Sequence, residues 1–121
     1  MPMTTSTRET GDVTIVDITG RISLGEESAA LRNLVMNLLS EGHLKILLNM
    51  AGVDYIDSSG LGALVSAFSS VRKAGGELKL LKLSAKVDDL MEVTRLYTVF
   101  DIVDDEAAAV ESFNRKTAAG A

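Results

Sequence analysis

The chain has 121 residues, a length typical of one domain, and 46% of them are apolar, so we expect a packed core. Its formal net charge of −5 argues against a nucleic-acid or anionic-membrane surface, because either needs clustered basic residues. Cysteine is absent, which excludes disulfides and thiolate metal sites.

The sequence shows no internal repeat and no linker, so residues 1–121 are predicted to form a single domain. We expect its core to span residues 7–113 and the tails, residues 1–5 and 116–121, to be flexible. The N-terminus lacks the basic-then-apolar pattern of a secretory signal, and no run approaches the roughly 20 apolar residues of a membrane span. A cytoplasmic protein is therefore expected.

The N-terminal third predicts a hairpin. A short edge strand is expected near Ser6–Glu9, and Val13–Thr19 is rich in β-branched residues, as strands are. Gly11-Asp12 between them is typical of a turn. The next segment, Gly20–Ser23, is expected to be a loop that leads away from the second strand.

A helix followed by a central strand is predicted next. From Glu26 to Ser40 the apolar residues recur on one helical face, and Gly42 is well placed to end the helix. The inward residues are Leu31, Leu34, Val35 and Leu38. Leu44–Met50 is apolar on both sides of its axis, which indicates a strand covered on both faces.

The second half alternates helix and strand. The segment after Gly60 carries an apolar stripe, Glu77–Leu83 predicts a strand, and Ser84 is expected to cap a short helix. The stripe consists of Leu61, Leu64, Val65, Phe68 and Val71. A short strand within Tyr97–Val103 and a last helix with Val110 and Phe113 inward complete the chain. Strand–helix alternation predicts an α/β domain with about four helices and a mixed sheet, parallel at its centre and antiparallel at its N-terminal edge.

The segment Asp54–Gly62 joins the predicted central strand to a helix, and such a junction presents free backbone N–H groups. No phosphate-binding loop, dinucleotide fingerprint or Gly-x-Ser-x-Gly elbow is present. A pair between the only histidine, His43, and Ser58 is an alternative that would need a third orienting group; a solvated loop histidine is favoured. For Asp54 and Asp57 we favour a turn residue and a helix cap over metal or acid–base chemistry.

Ser58 and Ser59 leave two interpretations open. By residue type alone, one hydroxyl caps the helix and does nothing more. Alternatively, a serine is phosphorylated, which adds nearly two negative charges. The helix N-terminus would stabilise that phosphate by roughly 0.3–1 kcal/mol, while the neighbouring aspartates would repel it. We therefore expect phosphorylation to block docking of a partner more than to change the fold.

Residues Asp57–Gly62, reached from the strand end Leu48-Asn49-Met50, resemble the signature of bacterial anti-sigma factor antagonists of the STAS domain group. The resemblance extends from about Thr7 to Phe113. It includes Gly20, Gly75-Gly76 before Glu77-Leu78, and Thr98-Val99-Phe100.

This resemblance implies a partner-switching protein that is not an enzyme and needs no cofactor or metal. Its relatives bind an anti-sigma factor that is also a serine kinase, which phosphorylates the first serine of the pair, here Ser58. Helical periodicity cannot choose between the serines, so Ser59 is the second choice. A metal-dependent serine phosphatase of the PP2C type reverses the modification. The dephosphorylated form captures the anti-sigma factor and thereby frees the sigma factor.

The expected docking surface combines the helix start with the adjoining loop. The predicted partner-binding residues are Asp57, Ser58, Ser59, Gly60, Leu61, Gly62, Gly20, Arg21 and Ser23. Gly60 and Gly62 would let a partner's backbone approach, whereas Leu61 is in phase with the core residues and is expected to face inward. Many relatives carry Gly-Glu-Leu/Ile-Asp where this chain has Gly20–Ser23, so that Arg21 replaces the glutamate and Ser23 the aspartate. Two expectations stay open: a partner with a different charge pattern, or a circuit that does not end in a sigma factor.

Two rival hypotheses remain. A non-transcriptional scaffold in a signalling complex would bind alike with alanine or aspartate at Ser58. A ligand-binding domain or small enzyme would show an enclosed pocket of a few hundred cubic ångströms, whereas a docking module would show a shallow, exposed turn. Either a monomer or a weak dimer is compatible with the sequence.

Overall fold

The computed structural model describes residues 2–120, with side chains described for residues 2–113. One five-stranded sheet has its strands in chain order. The strands are β1 Thr4–Thr10, β2 Val13–Ile22, β3 Lys45–Ile56, β4 Glu77–Leu81 and β5 Asp101–Val103. β1 is antiparallel to β2, and the other neighbours are parallel. The predicted mixed sheet is confirmed.

Four α-helices connect and cover these strands, as predicted. They are α1 Glu26–Ser40, α2 Ser58–Lys73, α3 Ala85–Thr94 and α4 Glu106–Gly120, with a 3-10 turn at Leu96–Thr98. Helices α1, α2 and α3 contribute to one large apolar cluster, and α4 contributes to a second. The two clusters use alternate residues of the same strands, so they lie on opposite faces of the sheet. In the part of the chain that the structure describes, no helix has the length and apolarity needed to cross a membrane.

Strand β3 is the centre of the core. Its side chains Ile46 and Leu48 pack in the cluster with α1, α2 and α3, whereas Leu47 packs with Ala109 and Phe113 of α4. All five are fully buried. The prediction that this apolar strand is covered on both faces is confirmed.

Two strands extend beyond the residues predicted for them. β3 continues past Met50 to Ile56, and β2 continues to Ile22, so the expectation of a loop starting at Gly20 was wrong. After two register shifts, Arg21 pairs with Tyr55 and Ile22 with Ile56. Parallel pairing satisfies the backbone hydrogen bonds of both segments, so β2 and β3 extend to Ile22 and Ile56.

The ends of the domain also differ in detail from the expected tails. β1 starts at Thr4, which pairs with Thr19, so residues 4 and 5 belong to the sheet. Helix α4 includes residues 116–120 of the predicted C-terminal tail, residues 116–121. The side chains of that tail and the whole of Ala121 lie outside the described residues.

Candidate functional site at the start of helix α2

The carboxyl ends of β2 and β3 lie side by side, because the two strands are parallel and pair up to Ile22 and Ile56. β3 leads into α2 through a single residue, Asp57, and β2 leads into α1 through residues 23–25. The β2–α1 loop, Ser23–Gly25, therefore lies against the N-terminus of α2. This corner contains the residues that the sequence singled out.

Asp57 caps helix α2. Its Oδ1 accepts a hydrogen bond from the Gly60 amide at 2.9 Å, and its Oδ2 accepts one from the Leu24 amide at 3.0 Å. Together with the Ser59 hydroxyl, the strongest contributor, these donors lower the pKa of Asp57 to about 2. The predicted aspartate cap is confirmed, and the alternative of a serine cap was wrong because the carboxylate occupies that position. Asp54 is an exposed residue of β3, not a turn residue.

Ser59 joins the helix to the β2–α1 loop. Its hydroxyl donates to Asp57 Oδ1 at 2.7 Å and accepts from the Gly25 amide at 3.2 Å. Its oxygen also lies 2.9 Å from the hydroxyl of the buried Ser28. Since the single Ser59 proton goes to Asp57, Ser28 must be the donor in that contact. The Ser59 hydroxyl is thus fully engaged in local structure.

Ser58 differs from its neighbour in every respect that matters for modification. It is the first residue of α2, it is exposed, and its hydroxyl makes no hydrogen bond to any other described residue. Of the two serines, Ser58 is the one whose oxygen is free for a second protein to reach.

A groove of about 640 Å³, open to solvent, lies between the start of α2 and helix α3. It is lined by Tyr55, Ile56, Asp57, Ser58, Leu61, Lys86, Leu90 and Thr94. A shallow turn was expected of a docking module, so the volume agrees better with the ligand-binding rival, although the groove is not enclosed. Leu61 packs partly on the core, as its periodicity predicted, and also lines the groove.

Helix α3 also contributes to this site, which the sequence did not predict. Lys86 and Leu90 are about 30 residues from Ser58 in the chain, and no motif links them to it. Only the position of α3 against β3 brings them to the same groove. Lys86 and the cap residue Asp57 both line this groove, so it carries charges of both signs.

The glycines at this corner have different roles. A Cβ on Gly60 would lie 2.2 Å from the Ile22 carbonyl oxygen, so Gly60 allows α2 to approach β2. It is buried and gives no access to a partner, contrary to the expected role. Gly62 is exposed, and nothing lies within 4 Å of a Cβ placed there. Gly20 is buried and has φ +94, which favours glycine.

Ser23 is also buried, and its hydroxyl donates to Glu27 Oε1 at 3.1 Å. A hydrogen bond from the Met3 amide, and to a smaller extent those from Ser23, lower the pKa of Glu27, so this carboxylate is charged at neutral pH. An aspartate in place of Ser23 would repel it. Of the three partner-binding residues predicted in the segment Gly20–Ser23, Arg21 is exposed, whereas Gly20 and Ser23 are buried.

The alternative of a pair between His43 and Ser58 was wrong. His43 precedes β3 and lies 3.0 Å from the Thr14 hydroxyl, whereas Ser58 follows the other end of the strand. At roughly 3.3 Å per residue, the two ends of β3 are about 35 Å apart. Within residues 2–113 the structure contains no group of three acidic, histidine or cysteine side chains that could hold a metal ion.

Comparison with known proteins agrees with this architecture. The sequence profile of the STAS domain matches residues 4–109. The anti-sigma-B factor antagonist of Bacillus subtilis (strain 168) is 39% identical over 88 residues, which cover 72% of this chain and 78% of the relative. The chain therefore belongs to the STAS domain family of anti-sigma factor antagonists, as the resemblance predicted.

Solved structures of two proteins show the same fold. An anti-sigma factor antagonist from Mycobacterium paratuberculosis superposes with a TM-score of 0.81 at 17% identity, covering 93% of this chain and 94% of the other. The Bacillus protein SpoIIAA, at 15–16% identity, superposes with TM-scores of 0.68 in its unphosphorylated form and 0.70 in its phosphorylated form. The two forms cover 90% of this chain and 96% and 98% of SpoIIAA.

Proposed function

We propose that this chain is an anti-sigma factor antagonist whose capture of an anti-sigma factor/serine kinase is switched off by phosphorylation of Ser58. The observation that carries the proposal is the contrast between a free, exposed Ser58 hydroxyl and the fully bonded Ser59 beside it. A kinase can reach the Ser58 oxygen without breaking native contacts, whereas the Ser59 oxygen is held in a set of hydrogen bonds that we call the cap network. The cap network joins Asp57 and Ser59 to Leu24, Gly25, Ser28 and Gly60.

The proposed partners are those that the resemblance to anti-sigma factor antagonists implies. The unphosphorylated chain binds the anti-sigma factor and releases the sigma factor, and a serine phosphatase of the PP2C type restores the binding form. The protein is then a substrate of its kinase in the cytoplasm and not itself a catalyst. The docking surface includes the exposed members of the predicted set, Ser58, Gly62 and Arg21, whereas Gly20, Ser23 and Gly60 position it from below.

Electrostatics at the corner explain why a phosphate acts on docking. A phosphate on Ser58 would add nearly two charges beside the ionised Asp57, and the helix N-terminus offsets this by roughly 0.3–1 kcal/mol. Because the cap network does not use Ser58, the fold stays unchanged. Burying the unpaired charge under a partner costs several kcal/mol, and about 3 kcal/mol already weakens affinity roughly a hundredfold.

The 640 Å³ groove supports a second candidate, a STAS scaffold or ligand-binding domain outside transcription. In that case the partner does not depend on the state of Ser58. The two candidates therefore differ in how binding responds to a charge at this position.

Binding of the purified anti-sigma kinase to Ser58→Ala and Ser58→Asp tests the proposal, with calorimetry as the measurement. We expect Ser58→Ala to bind within about threefold of wild type and Ser58→Asp to bind at least about tenfold more weakly. Ser66→Asp, which adds a charge at another exposed serine of α2, is the matched control and should bind normally. Equal binding by Ser58→Asp and Ser58→Ala would favour the second candidate.

A further inference from the structure

Leu24 lies in the β2–α1 loop with two unfavourable features at once. Its side chain is 77% exposed, and its backbone adopts φ +61, in the left-handed region. A leucine there brings its Cβ close to the following carbonyl oxygen, which is why glycine or asparagine usually takes such positions. Neither feature stabilises the isolated domain.

The start of α2 holds Leu24 in this conformation. Its amide donates to the cap carboxylate of Asp57 at 3.0 Å, and the next amide, that of Gly25, donates to Ser59 Oγ at 3.2 Å. Gly25 also has a positive φ, +66, with ψ −42. Two consecutive residues with positive φ therefore present the leucine side chain to solvent next to the segment that contains Ser58.

The other non-glycine residues with positive φ in the described chain are Lys82 and Arg95. Both carry charged side chains that water solvates well, and Arg95 ends helix α3 in the usual left-handed cap conformation. Leu24 is the member of this group whose exposed side chain is apolar. Strain at an exposed apolar residue points to a contact made outside the domain.

We propose that Leu24 is an apolar anchor for the same anti-sigma factor/serine kinase, inserting into an apolar pocket beside that partner's catalytic site. This inference rests on the function proposed above. A kinase that reaches Ser58 has Leu24 close by, because the Leu24 amide is bonded to Asp57, the residue that precedes Ser58. An anchor fixed to the cap network also sets the distance between the partner's pocket and the Ser58 hydroxyl.

The surroundings of Leu24 indicate the chemistry of that pocket. Leu24 also lines a groove of about 270 Å³ with Pro2, Met3 and Ala30, so apolar surface continues beyond it. The exposed Glu26 and the half-buried Glu27 also line this groove, at the start of α1. The complementary surface is an apolar pocket with basic side chains at the edge that faces α1.

Two substitutions of Leu24 distinguish its effect on partner binding from its effect on the stability of the fold. Leu24→Ala removes the apolar contact, and Leu24→Asn does so while relieving the backbone strain, because asparagine tolerates positive φ. We expect both variants to bind the purified kinase at least about tenfold more weakly, as for a central interface residue. Leu24→Asn should unfold at the same temperature as wild type or at a higher one. Met36→Ala, a truncation at another exposed apolar residue on α1, should leave binding within about threefold.

Binding and phosphorylation of the wild type distinguish a failure of the Leu24 anchor from a failure of the proposed function. If wild type binds the kinase and the Leu24 variants bind as well as Met36→Ala does, the anchor is overturned and the proposed function stands. If wild type neither binds the kinase nor is phosphorylated by it, the proposed function is overturned and the anchor with it. A loss of binding by Leu24→Asn without loss of thermal stability supports the anchor.

Discussion

The two ends of the sheet are built alike but leave different groups exposed. At each end a glycine packs closely against a backbone carbonyl group. Gly60 packs against the Ile22 carbonyl at the carboxyl end, and Gly76 packs against the Leu44 carbonyl at the amino end. At the amino end the polar side chains pair with one another, as Lys45 does with Asp12 at 2.7 Å. At the carboxyl end the cap network leaves a hydroxyl and a leucine facing solvent.

This difference shows how the domain separates stability from recognition. The residues that hold the corner together are Asp57 and Ser59, and the residues that it presents are Ser58 and Leu24. Ser58 lies between Asp57 and Ser59 in the chain, and the Leu24 amide is hydrogen-bonded to Asp57. Substitutions can therefore affect stability without affecting recognition, or recognition without affecting stability.

The largest effect is expected at the two close-packed glycines. Gly60→Ala places a Cβ 2.2 Å from a backbone oxygen, and Gly76→Ala places one 2.3 Å from another. Each should lower the free energy of unfolding by about 3 kcal/mol. Gly62→Ala, with nothing within 4 Å, should raise it by about 0.5–1 kcal/mol, because alanine favours a helix. Urea denaturation measures all three, and a Gly60→Ala variant as stable as wild type would disprove the close approach.

A smaller effect on the free energy of unfolding is expected for Ser59, whose hydroxyl joins α2 to the β2–α1 loop. Ser59→Ala removes one hydroxyl that serves Asp57, Gly25 and Ser28. Leaving these partners unsatisfied should cost about 1–3 kcal/mol of unfolding free energy. Ser58→Ala is the matched control and should change stability by less than about 0.5 kcal/mol. Equal losses in the two variants would mean that the serines are not distinguished as described.

Acid should weaken the helix cap that Asp57 forms at the carboxyl end of the sheet. The pKa of Asp57 is about 2 in the folded protein, against 3.8 for an unperturbed aspartate. The unfolded chain therefore takes up the proton first, so the stabilisation from Asp57 is complete above pH 3.8 and is lost as the pH falls through about 2. Amide NMR shifts of Leu24 and Gly60 should follow this titration. A midpoint near 3.8 would contradict the hydrogen bonds to this carboxylate.

The smallest effect is expected at an ion-pair cluster on the face that α4 covers. Arg8 bonds Asp17 of β2 at 2.7 Å and Glu106 of α4 at 2.6 Å, and all three groups are substantially exposed. Arg8→Ala should lower the unfolding free energy by about 0.5–1 kcal/mol, and less in high salt. Kinase binding should not change, since the cluster is remote from the carboxyl corner. A change in binding would show that recognition extends to this face.

Local periodicity was sufficient to predict most of the fold. The apolar stripes of α1 and α2 and the two-sided apolar run of β3 identified the core residues, because burial follows directly from these patterns. The ends of β2 and β3 were placed wrongly. Pairing of Arg21 with Tyr55 joins segments more than thirty residues apart, and neither segment carries a local signal for it.

The site was predictable in position but not in detail. Capping chemistry identified Asp57, yet helical phase could not separate Ser58 from Ser59. What separates them is a set of hydrogen bonds from Gly25 and Ser28, which precede the pair by about thirty residues. The exposed, left-handed Leu24 has no sequence signature, because its conformation is imposed by tertiary contacts.

Phosphorylation of the wild type, Ser58→Ala and Ser59→Ala by the purified anti-sigma kinase with ATP, followed by mass mapping of the modified residue, tests the central claim most directly. We predict one phosphate on Ser58 in the wild type and in Ser59→Ala, and none in Ser58→Ala. A phosphate on Ser59, or phosphorylation of Ser58→Ala to the wild-type extent, would contradict the account.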